Sequence, residues 1–425
     1  MSEEKKLVPR LRFPEFRGAE GWSSTVLGEL SEVVRGGSPR PIDGFLTTAD
    51  DGLNWLKIGD VDKEAKYVTK TAEKVRPEAL SKTRVVSPGD LILSNSMSFG
   101  RPYILQIKTC IHDGWIAVTH IANEVTRDFL YYLISGPKSQ NYFLNNAAGS
   151  GVQNLNADII KALPVCFPSS VEQKKIANCL GSLDELIAAQ ARKVDALKTH
   201  KKGLMQQLFP REGETQPRLR FSEFQEAGEW EEKCLDELVD IQSGATPSKA
   251  NPTFWNGSVP WVSAKDMKRF LLEDAEDHIS VAAINDGARL VPAGTLLVLT
   301  RGMTLLKDVP ICVLRREMSF NQDVKGLRPK NGVDGLFLAW ILTGSKQRLL
   351  AMVNIAGHGT GKLDTDELKA LALAVPSLAE QQRIADCLTS LDTLITTVTQ
   401  ELETLKTHKK GLTQQLFPSS EAAEA

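Results

Sequence analysis

A peptide of fourteen residues occurs twice in this chain with a single difference. Residues 197–210 read LKTHKKGLMQQLFP and residues 405–418 read LKTHKKGLTQQLFP, an offset of 208 positions. Self-similarity at a long, fixed offset indicates a duplicated structural unit, and it constrains the fold more than composition does. Any architecture for this chain must therefore place the same peptide at the end of two similar halves.

Two further pairs of segments share the 208-residue offset. The segment from Pro9, PRLRFPEFRGAEGWSSTVLGEL, matches that from Pro217, PRLRFSEFQEAGEWEEKCLDEL, at twelve of 22 positions. The segment from Phe167, FPSSVEQKKIANCLGSLDELI, matches that from Val375, VPSLAEQQRIADCLTSLDTLI, at thirteen of 21. The stretches between them, residues 31–148 and 239–356, have equal length but little identity. The sequence thus predicts a duplication with a common frame and two divergent interiors.

Each divergent interior combines short β-rich runs with a helical pattern. DLILS, GWIAVTHI, TLLVLT and PICVL have the composition of strands, and helices are predicted at about 127–147 and 334–356. Weak internal matches, Trp55 with Trp261 and SPGDLILS with VPAGTLLVL, favour a common domain fold. We predict an α+β protein with two globular α/β domains separated by two long antiparallel coiled-coil helices, arranged as a pseudo-twofold internal repeat.

Two helices are the most clearly specified elements. Ser169 with Glu172, and Ser377 with Glu380, have the spacing of a capping box, in which each side chain accepts a hydrogen bond from a backbone N–H at the helix start. Apolar residues then recur at alternating steps of four and three, which is the pattern of a coiled-coil seam. The predicted divisions of the chain are 1–168 for the first domain, 169–210 for a central helix, 211–376 for the second domain, 377–418 for a C-terminal helix and 419–425 for a disordered tail.

The two helices are expected to pack on each other with opposite directions, because closed pairs of similar units are usually related by a twofold axis. A helix of about 39 residues spans roughly 58 Å at 1.5 Å per residue. In the middle of the helices, residues 188–196 share no identity with 396–404, whereas the ends are nearly identical. The helix ends are therefore predicted to be docking sites.

The composition places few other limits on function. The net charge is −2, with 42% hydrophobic and 24% charged residues, so any contact with nucleic acid has to be local. The N-terminal stretch MSEEKKLVPRLRF has no apolar core like that of a signal peptide, and no run reaches the ~18 apolar residues of a membrane span. We expect a cytoplasmic protein without membrane association. The six cysteines contain no CxxC pair and fit a reducing compartment; they are Cys110, Cys166, Cys179, Cys234, Cys312 and Cys387.

Sequence signatures of catalysis or metal binding are weak. AGHGTGKL resembles a phosphate-binding loop, but Ala356 and Leu363 occupy positions that the motif reserves for Gly and Ser or Thr. The tetrapeptide typical of DNA amino-methyltransferases does not occur. His112 and His120, with Cys110 nearby, lack a second cluster of ligands, so we interpret them as core or surface residues without a metal. We predict a protein with no catalytic residue of its own.

The repeated motifs PSxxEQxxIAxCLxSLDxLI, LKxHKKGLxQQLFP and PRLRFxEF together resemble the specificity subunit of type I restriction-modification systems (HsdS). The resemblance covers nearly the whole chain. It implies that each divergent domain is a target recognition domain that reads one half of a bipartite, asymmetric DNA site. It also implies that the helices set the spacer between the half-sites and dock methyltransferase subunits. A helix of roughly 58 Å would correspond to about 17 base pairs of DNA.

The resemblance also implies partners and a cofactor held elsewhere. Double-stranded DNA, two modification subunits (HsdM) and restriction subunits (HsdR) would bind the chain. No cofactor is expected on the chain itself, because S-adenosylmethionine would be bound by the modification subunits. The assembled complex would be an adenine DNA methyltransferase and endonuclease.

Candidate DNA-contacting residues are the polar and basic side chains of glycine-marked loops, since Arg, Lys, Asn and Gln pair with base edges and Ser and Thr mostly contact phosphate. In the first domain they are Arg35, Ser38, Arg40, Ser94, Asn95, Ser96 and Arg101. In the second they are Thr246, Lys249, Lys265, Arg301, Lys307, Asn321, Gln322 and Lys362. Candidates for contact with a partner subunit or the DNA backbone are Lys198, Lys201, Lys202, Lys406, Lys409 and Lys410.

Two other classes of function are compatible with parts of the pattern. A coiled-coil interaction scaffold with duplicated protein- or carbohydrate-binding domains would show the same repeat. An enzyme, either the specificity part of a fused modification-restriction protein or an autonomous methyltransferase, is disfavoured by the chain length and the missing motifs. Sequence enrichment from a random DNA pool separates the DNA-reading hypothesis from the scaffold.

Overall fold

The computed structural model describes residues 7–95, 99–147, 155–355 and 359–418. The chain divides into two compact units, one formed by Met1–Ala191 with Gln400–Ala425 and the other by Arg192–Thr399. Each unit therefore contains one globular domain. Each of the two long helices, Ser170–Leu208 and Leu378–Leu416, is divided between the two units. Residues 96 and 419–425, on which two predictions fall, lie outside the described residues.

The strands of the first domain are β1 (Ser23–Val26), β2 (Glu32–Arg35), β3 (Leu46–Thr47), β4 (Leu53–Leu56), β5 (Tyr67–Val68), β6 (Glu73–Val75), β7 (Arg84–Val86), β8 (Leu91–Ser94), β9 (Pro102–Leu105), β10 (Thr109–Ile111), β11 (Trp115–Thr119) and β12 (Pro164–Phe167). Its helices are α1 (Leu27–Leu30), α2 (Arg127–Ser135), α3 (Pro137–Asn146), α4 (Ala157–Lys161) and the long α5 (Ser170–Leu208). The strands form two sheets, with the orders β2-β11-β8-β9-β5 and β3-β6-β4-β10-β7, and β1 pairs with β12.

The strands of the second domain are β13 (Glu231–Cys234), β14 (Val239–Ser243), β15 (Val259–Val262), β16 (Leu271–Leu272), β17 (Asp277–Ile279), β18 (Leu290–Val291), β19 (Leu296–Leu299), β20 (Arg301–Gly302), β21 (Ile311–Leu314), β22 (Met318–Phe320), β23 (Val324–Pro329), β24 (Val353–Ile355), β25 (Gly361–Leu363) and β26 (Ala372–Val375). Its helices are α6 (Leu235–Leu238), α7 (Val281–Asn285), α8 (Gly335–Gly344), α9 (Lys346–Ala351), α10 (Thr365–Lys369) and the long α11 (Leu378–Leu416).

The strand orders confirm the predicted duplication. The second domain has the orders β14-β23-β19-β21-β16 and β17-β15-β22-β18, and β13 pairs with β26. These repeat the first domain strand for strand, except that β3 has no counterpart among the described residues. Trp55 in β4 and Trp261 in β15 hold equivalent positions, as do β8 and β19, so both weak sequence matches are confirmed. The second domain adds a three-stranded sheet, β20-β25-β24.

The helices predicted at 127–147 and 334–356 are each divided in two. Proline lacks the N–H of a helical residue and disfavours the α conformation in the residue before it. Gly136, before Pro137, accordingly has φ −66° and ψ 152°, and α2 ends there. In the second domain Ser345 separates α8 from α9, and the chain leaves the helix after Ala351 to form β24. The length of both helices was overestimated.

The long helices lie inside the predicted segments 169–210 and 377–418, and each is 39 residues long. The division of the chain into domains stays a prediction. Within the first unit, the early part of α5 and the late part of α11 run in opposite directions. Gln190 donates to Glu401 at 2.7 Å, and Asp184, six residues earlier in α5, accepts from Lys409, which is eight residues later than Glu401 in α11. The predicted antiparallel packing is confirmed in this unit.

The start of each long helix is tied to an arginine of the PRLRF motif. Glu172 accepts two hydrogen bonds from the Arg12 guanidinium at 2.8 and 2.7 Å, and this carboxylate is 1% exposed. Glu380 accepts two from Arg220 at the same distances. The predicted capping box is thus only half correct. The serine hydroxyls do accept from the glutamate N–H groups, at 3.5 and 3.4 Å, but the carboxylates bind arginine.

In both copies the glutamate at the helix start is followed by a glutamine, so that the two residues form an EQ pair. This glutamine connects the start of the long helix to the globular domain by hydrogen bonds. The Gln173 amide donates to the carbonyls of Glu124 and Pro168 and accepts from the N–H of Thr126. Gln381 makes the equivalent three bonds in the second unit. Buried polar groups are stable only when their hydrogen bonds are satisfied. The identity of the EQ pair in both copies therefore follows from packing.

The repeated peptide ends in the core of a domain. Phe417 packs against Trp22 and Phe129 with ring centroids 6.2 and 5.4 Å apart. Phe209 packs against Phe337 at 5.8 Å in the second unit. The backbone N–H of Leu11 also donates to the carbonyl of Gln415 at 3.0 Å. Each copy of LFP therefore closes a globular domain.

Candidate nucleic-acid interface

Two loops of the first domain lie side by side, one at residues 36–40 directly after β2 and one at residues 112–114 between β10 and β11. The N–H of Gly36 donates to the carbonyl of Trp115 at 2.9 Å, and that of Gly37 to the carbonyl of Ile111 at 3.1 Å. A Cβ at Gly36 would lie 2.2 Å from the carbonyl oxygen of His112. The close approach of the two loops thus requires glycine at this position.

Asp113 accepts hydrogen bonds from four of the predicted residues. The Ser38 hydroxyl donates to one carboxylate oxygen at 2.8 Å, and the Arg40 guanidinium donates to the other at 3.3 Å. Arg35 and Asn95 donate to the Asp113 carbonyl at 3.0 and 3.2 Å. The loops therefore form one polar cluster, although the five residues are spread over 78 positions of the chain.

Sequence reasoning missed Asp113, because an acid is not expected to face the phosphates of DNA. Burial, the largest single influence, raises the pKa of this carboxyl. The hydrogen bond from Ser38, the nearby His112 and the Arg40 guanidinium act in the opposite direction, and the net result is a lowered pKa. Asp113 is therefore ionised at neutral pH and can hold a cation in place. The only signal in the sequence was its position between two strands, opposite a Gly-Gly pair.

The second domain contains an equivalent pair of loops with different side chains. The N–H of Ala245 donates to the carbonyl of Phe320 at 3.0 Å, as Gly37 does in the first domain. A Cβ at Gly244 would lie 2.2 Å from the same carbonyl oxygen. The Thr246 hydroxyl donates to the side-chain oxygen of Gln322, where Ser38 donates to Asp113. Two of the predicted residues are thus brought together, in a loop geometry common to both domains.

A second group of predicted residues lies on the extra sheet of the second domain. Arg301 in β20 is exposed and stands opposite Lys362 in β25. Lys362 also pairs with Asp364 at 3.2 Å. Lys307 is exposed and follows the short 3-10 helix Met303–Leu306. The sheet and the neighbouring 3-10 helix therefore carry three cationic side chains. The first domain shows no counterpart of this sheet among the described residues.

The remaining predicted loop residues are more dispersed. Lys265 pairs with Asp277 and Glu276 at 3.0 Å each, and these hydrogen bonds raise its pKa. Arg101 lies 3.7 Å from Glu64. The Asn321 side chain accepts from the N–H of Asp323 at 3.2 Å. Lys249 is exposed and Ser94 is buried at the end of β8. Ser96 is not among the described residues, and a role in DNA contact stays a prediction for all of these positions.

The lysines of the repeated peptide fall into two groups. Lys201 pairs with Asp392 and lies over the Trp340 ring, 4.9 Å from its centroid. Lys409 pairs with Asp184 and lies over the Tyr132 ring at 5.6 Å. These two ammonium groups are engaged within their own units. The others are exposed, and Lys406 pairs with Glu403 at 2.8 Å; they are Lys198, Lys202, Lys406 and Lys410.

No group of three His, Cys, Asp or Glu side chains in the described part of the chain is placed to bind a metal ion. Cys110 is buried in β10, and burial raises the pKa of its thiol to about 11. Lys66 pairs with Asp128 at 2.7 Å. No helix in the described residues has the length and apolar character that a membrane span needs.

A family profile described as type I restriction modification DNA specificity domain matches residues 19–199 and again residues 227–407. The two matches cover most of the chain, and each contains one of the loop pairs. The chain belongs to the type I restriction-modification specificity subunits. The resemblance seen in the repeated motifs is confirmed.

Known specificity subunits are similar to this one over different lengths. The EcoR124I/EcoR124II specificity subunit of Escherichia coli is 32% identical over 177 residues, which is 41% of this chain and 44% of the relative. The MjaIX subunit of Methanocaldococcus jannaschii is matched over only 41% of its length. The putative MjaX subunit of the same organism is 25% identical over 414 residues, 92% of each chain.

A crystal structure of a type I restriction-modification S subunit from M. genitalium has the same fold. The TM-score is 0.61 with 16% sequence identity, and the alignment covers 97% of this specificity subunit and all of the other chain. A second solved structure, concerned with complex assembly and conformational transition of the type I R-M system, gives a TM-score of 0.58 over 94% of this chain. The duplicated fold is thus shared along the whole specificity subunit.

Substituting Gly36 with alanine should separate the loop pair of this specificity subunit. The added methyl group would overlap the backbone of residue 112, and overpacking of this kind costs typically 1–3 kcal/mol. Gly59→Ala is the matched control, because no atom lies within 4 Å of a Cβ at that position. Chemical denaturation of both variants measures the difference, and equal stabilities would show that the loops do not approach each other as described.

Proposed function

We propose that this protein is the non-catalytic, DNA-reading subunit of a type I restriction-modification complex, in which each domain reads one half of a bipartite, asymmetric site. One observation carries the proposal. The two domains repeat the same strand order and the same loop pair, yet the loops present Ser38 and Asp113 in one domain and Thr246 and Gln322 in the other. Base identity is read by side chains at groove edges, so two different half-sites require different side chains on one frame.

We also propose that two identical modification subunits, HsdM, dock on the long helices, with restriction subunits, HsdR, joining for cleavage. Exposed side chains are rarely fixed by packing, so identity between copies at exposed positions needs another cause. Such residues occur at equivalent places on α5 and α11. They are Lys198, Thr199, His200, Lys202, Gln206 and Gln207, with Lys406, Thr407, His408, Lys410, Gln414 and Gln415.

In this proposal the modification subunits carry S-adenosylmethionine, and methylation of adenine takes place there. The chain itself supplies the recognition surfaces and the two docking surfaces. The length of the two helices sets the number of base pairs between the half-sites. Inserting one heptad, about 10 Å of helix, into both would shift the preferred spacing by roughly three base pairs.

Selection from a random pool of double-stranded DNA tests the proposal. The full chain is mixed with its cognate modification subunit, and bound DNA is sequenced after several rounds. One bipartite motif with a fixed spacer is expected, and its enrichment should fall as salt rises because phosphate contacts release counterions. The modification subunit alone serves as control and should enrich no such motif.

Absence of any enriched motif with the complete complex would contradict the proposal and would favour the scaffold hypothesis. A single continuous motif would contradict the two-reader part of it. The family match supports DNA recognition, and no finding supports protein or carbohydrate binding by the duplicated domains.

A further inference from the structure

We propose that the paired loops contain the base-reading position of each half-site. In this assignment Arg40 reads a guanine in the first half-site and Gln322 reads an adenine in the second. Asp113 is a positioning residue that orients Arg40 without contacting a base. The inference rests on the proposed function and specifies which side chains of each domain carry its specificity.

The two loop pairs are equivalent in their backbone geometry. Gly36 and Gly244 occupy the same position. A Cβ at Gly36 would lie 2.2 Å from the carbonyl oxygen of His112, and a Cβ at Gly244 would lie 2.2 Å from that of Phe320. The frame of the loops is therefore fixed by sterics in both domains. On this frame the side chains differ at each exposed place, with Arg40 replaced by Ser248 and Asp113 by Gln322. Constant backbone with changed polar side chains is what a position that reads different bases requires.

The side chains of both loop pairs are accessible to solvent. The Arg40 side chain is 82% exposed and that of Asp113 is 38% exposed, while Thr246 and Gln322 are also exposed. Packing therefore does not select these side chains. An arginine has five N–H donors, and its pairing with Asp113 occupies only one side of the planar guanidinium. The remaining donors can form the bidentate contact with the O6 and N7 atoms of guanine.

The charges of the first loop pair are compatible with DNA. An ionised carboxylate on a surface that meets DNA is repelled by phosphates unless cations neutralise it. Asp113 is paired with Arg40 through its side chain and bonded to Arg35 through its carbonyl, so the cluster as a whole is positive. The carboxylate then restricts the arginine to one orientation before DNA binds, which lowers the entropy lost on binding.

In the second domain a hydrogen bond between two uncharged side chains fixes the orientation of the base-reading residue. The Thr246 hydroxyl donates to the side-chain oxygen of Gln322 and fixes the plane of its amide. That oxygen has a second lone pair, so it can also accept from the N6 amino group of adenine while the amide nitrogen donates to N7. The chemistry of the two clusters thus favours guanine in one half-site and adenine in the other.

The test is the DNA motif selected by variants of the full chain in complex with its modification subunit. Arg40→Ala should relax one guanine position in the first half-site by roughly 5- to 100-fold, and Gln322→Ala one adenine position in the second by a similar factor. Asp113→Ala should relax the same base pair as Arg40→Ala, and Asp113→Asn should retain part of the preference. A residue with a merely structural role would not change one base pair selectively.

Lys108→Ala is the matched control, because Lys108 is exposed in the same domain but precedes β10, whereas Asp113 follows it. Its motif should equal that of the unmodified chain. If the unmodified chain selects no motif, the proposed function fails. If it selects a bipartite motif that Arg40→Ala and Gln322→Ala leave unchanged, or weaken uniformly at every position, this inference is overturned and the proposed function stands. Unchanged thermal unfolding of the variants would exclude loss of folding as the cause.

Discussion

Phe417→Ala is expected to lower the free energy of unfolding of the first unit by about 3–5 kcal/mol, as truncation of a buried phenylalanine usually does. The side chain is 8% exposed and its ring lies against Trp22 and Phe129, so alanine would leave a cavity between them. Because a chain of two units need not unfold in one step, hydrogen exchange of peptides from each unit is the suitable measurement. Protection should fall in the first unit.

Two controls make this prediction specific. Gln414→Ala changes an exposed residue in the last turn of α11, three residues before Phe417, and its effect should stay within about 0.5 kcal/mol. Phe209→Ala, the equivalent substitution, should reduce protection in the second unit. If Phe417→Ala does not yield folded protein, Phe417→Leu provides a milder test. Full protection of the first unit in Phe417→Ala or in Phe417→Leu would contradict the packing of Phe417.

The packing of Phe417 also changes the interpretation of the repeated peptide. The near identity of its two copies predicted docking of something external at the helix ends. The structure assigns its last residues, Leu208 with Phe209 and Leu416 with Phe417, to the cores of the protein's own domains. Only the exposed residues of the peptide remain available for a partner. The last residues of the peptide therefore stabilise the protein's own domains, and its exposed residues form a candidate docking surface.

The second large effect is expected at the buried ion pair between Arg12 and Glu172. Removing one member leaves the other charge buried without its partner, which costs about 3–5 kcal/mol. Arg12→Met should therefore destabilise the first unit strongly, because the side chains are only 6% and 1% exposed. The loss also removes bonds from Arg12 to the carbonyls of Ala19 and Glu20, both at 2.9 Å. Denaturant unfolding, followed separately in each unit by hydrogen exchange, measures the change.

The double variant Arg12→Met, Glu172→Leu provides the comparison. Replacing both members by apolar residues removes the uncompensated charge, so it should be more stable than either single variant. Arg220→Met should have the same effect in the second unit. Single variants as stable as the unmodified chain would show that the pair does not join the PRLRF segment to the helix.

The frame of this protein could be predicted from sequence because its signals are local or repeated. Heptad spacing specifies α5 and α11, and the 208-residue offset identifies the duplication. The link between Arg12 and Glu172 was also detectable in principle. Both residues are identical in the second copy, and the separation of 160 positions is the same for Arg220 and Glu380. The break at Pro137 also has a local cause, because proline disfavours the α conformation in the residue before it.

The loop clusters could not be derived in the same way. Arg40 and Asp113 meet only because β2 and β10 end close together, which depends on the order of strands in two sheets. No periodicity or motif links residues 73 positions apart in a segment that differs between the copies. The residue types at the loops were predictable, since they are polar and lie beside glycines. Their pairing with an acid required the tertiary structure.

A chimaera with the same interior in both domains shows whether each domain reads its own half-site. Residues 239–356 are replaced by a copy of residues 31–148, so that both halves carry the first interior on an unchanged frame. Adenine methylation is then mapped across the genome of cells that contain the cognate modification subunit. The expected motif consists of two copies of the first half-site, without the second half-site. A motif identical to that of the unmodified chain would show that the two domains do not read separate half-sites.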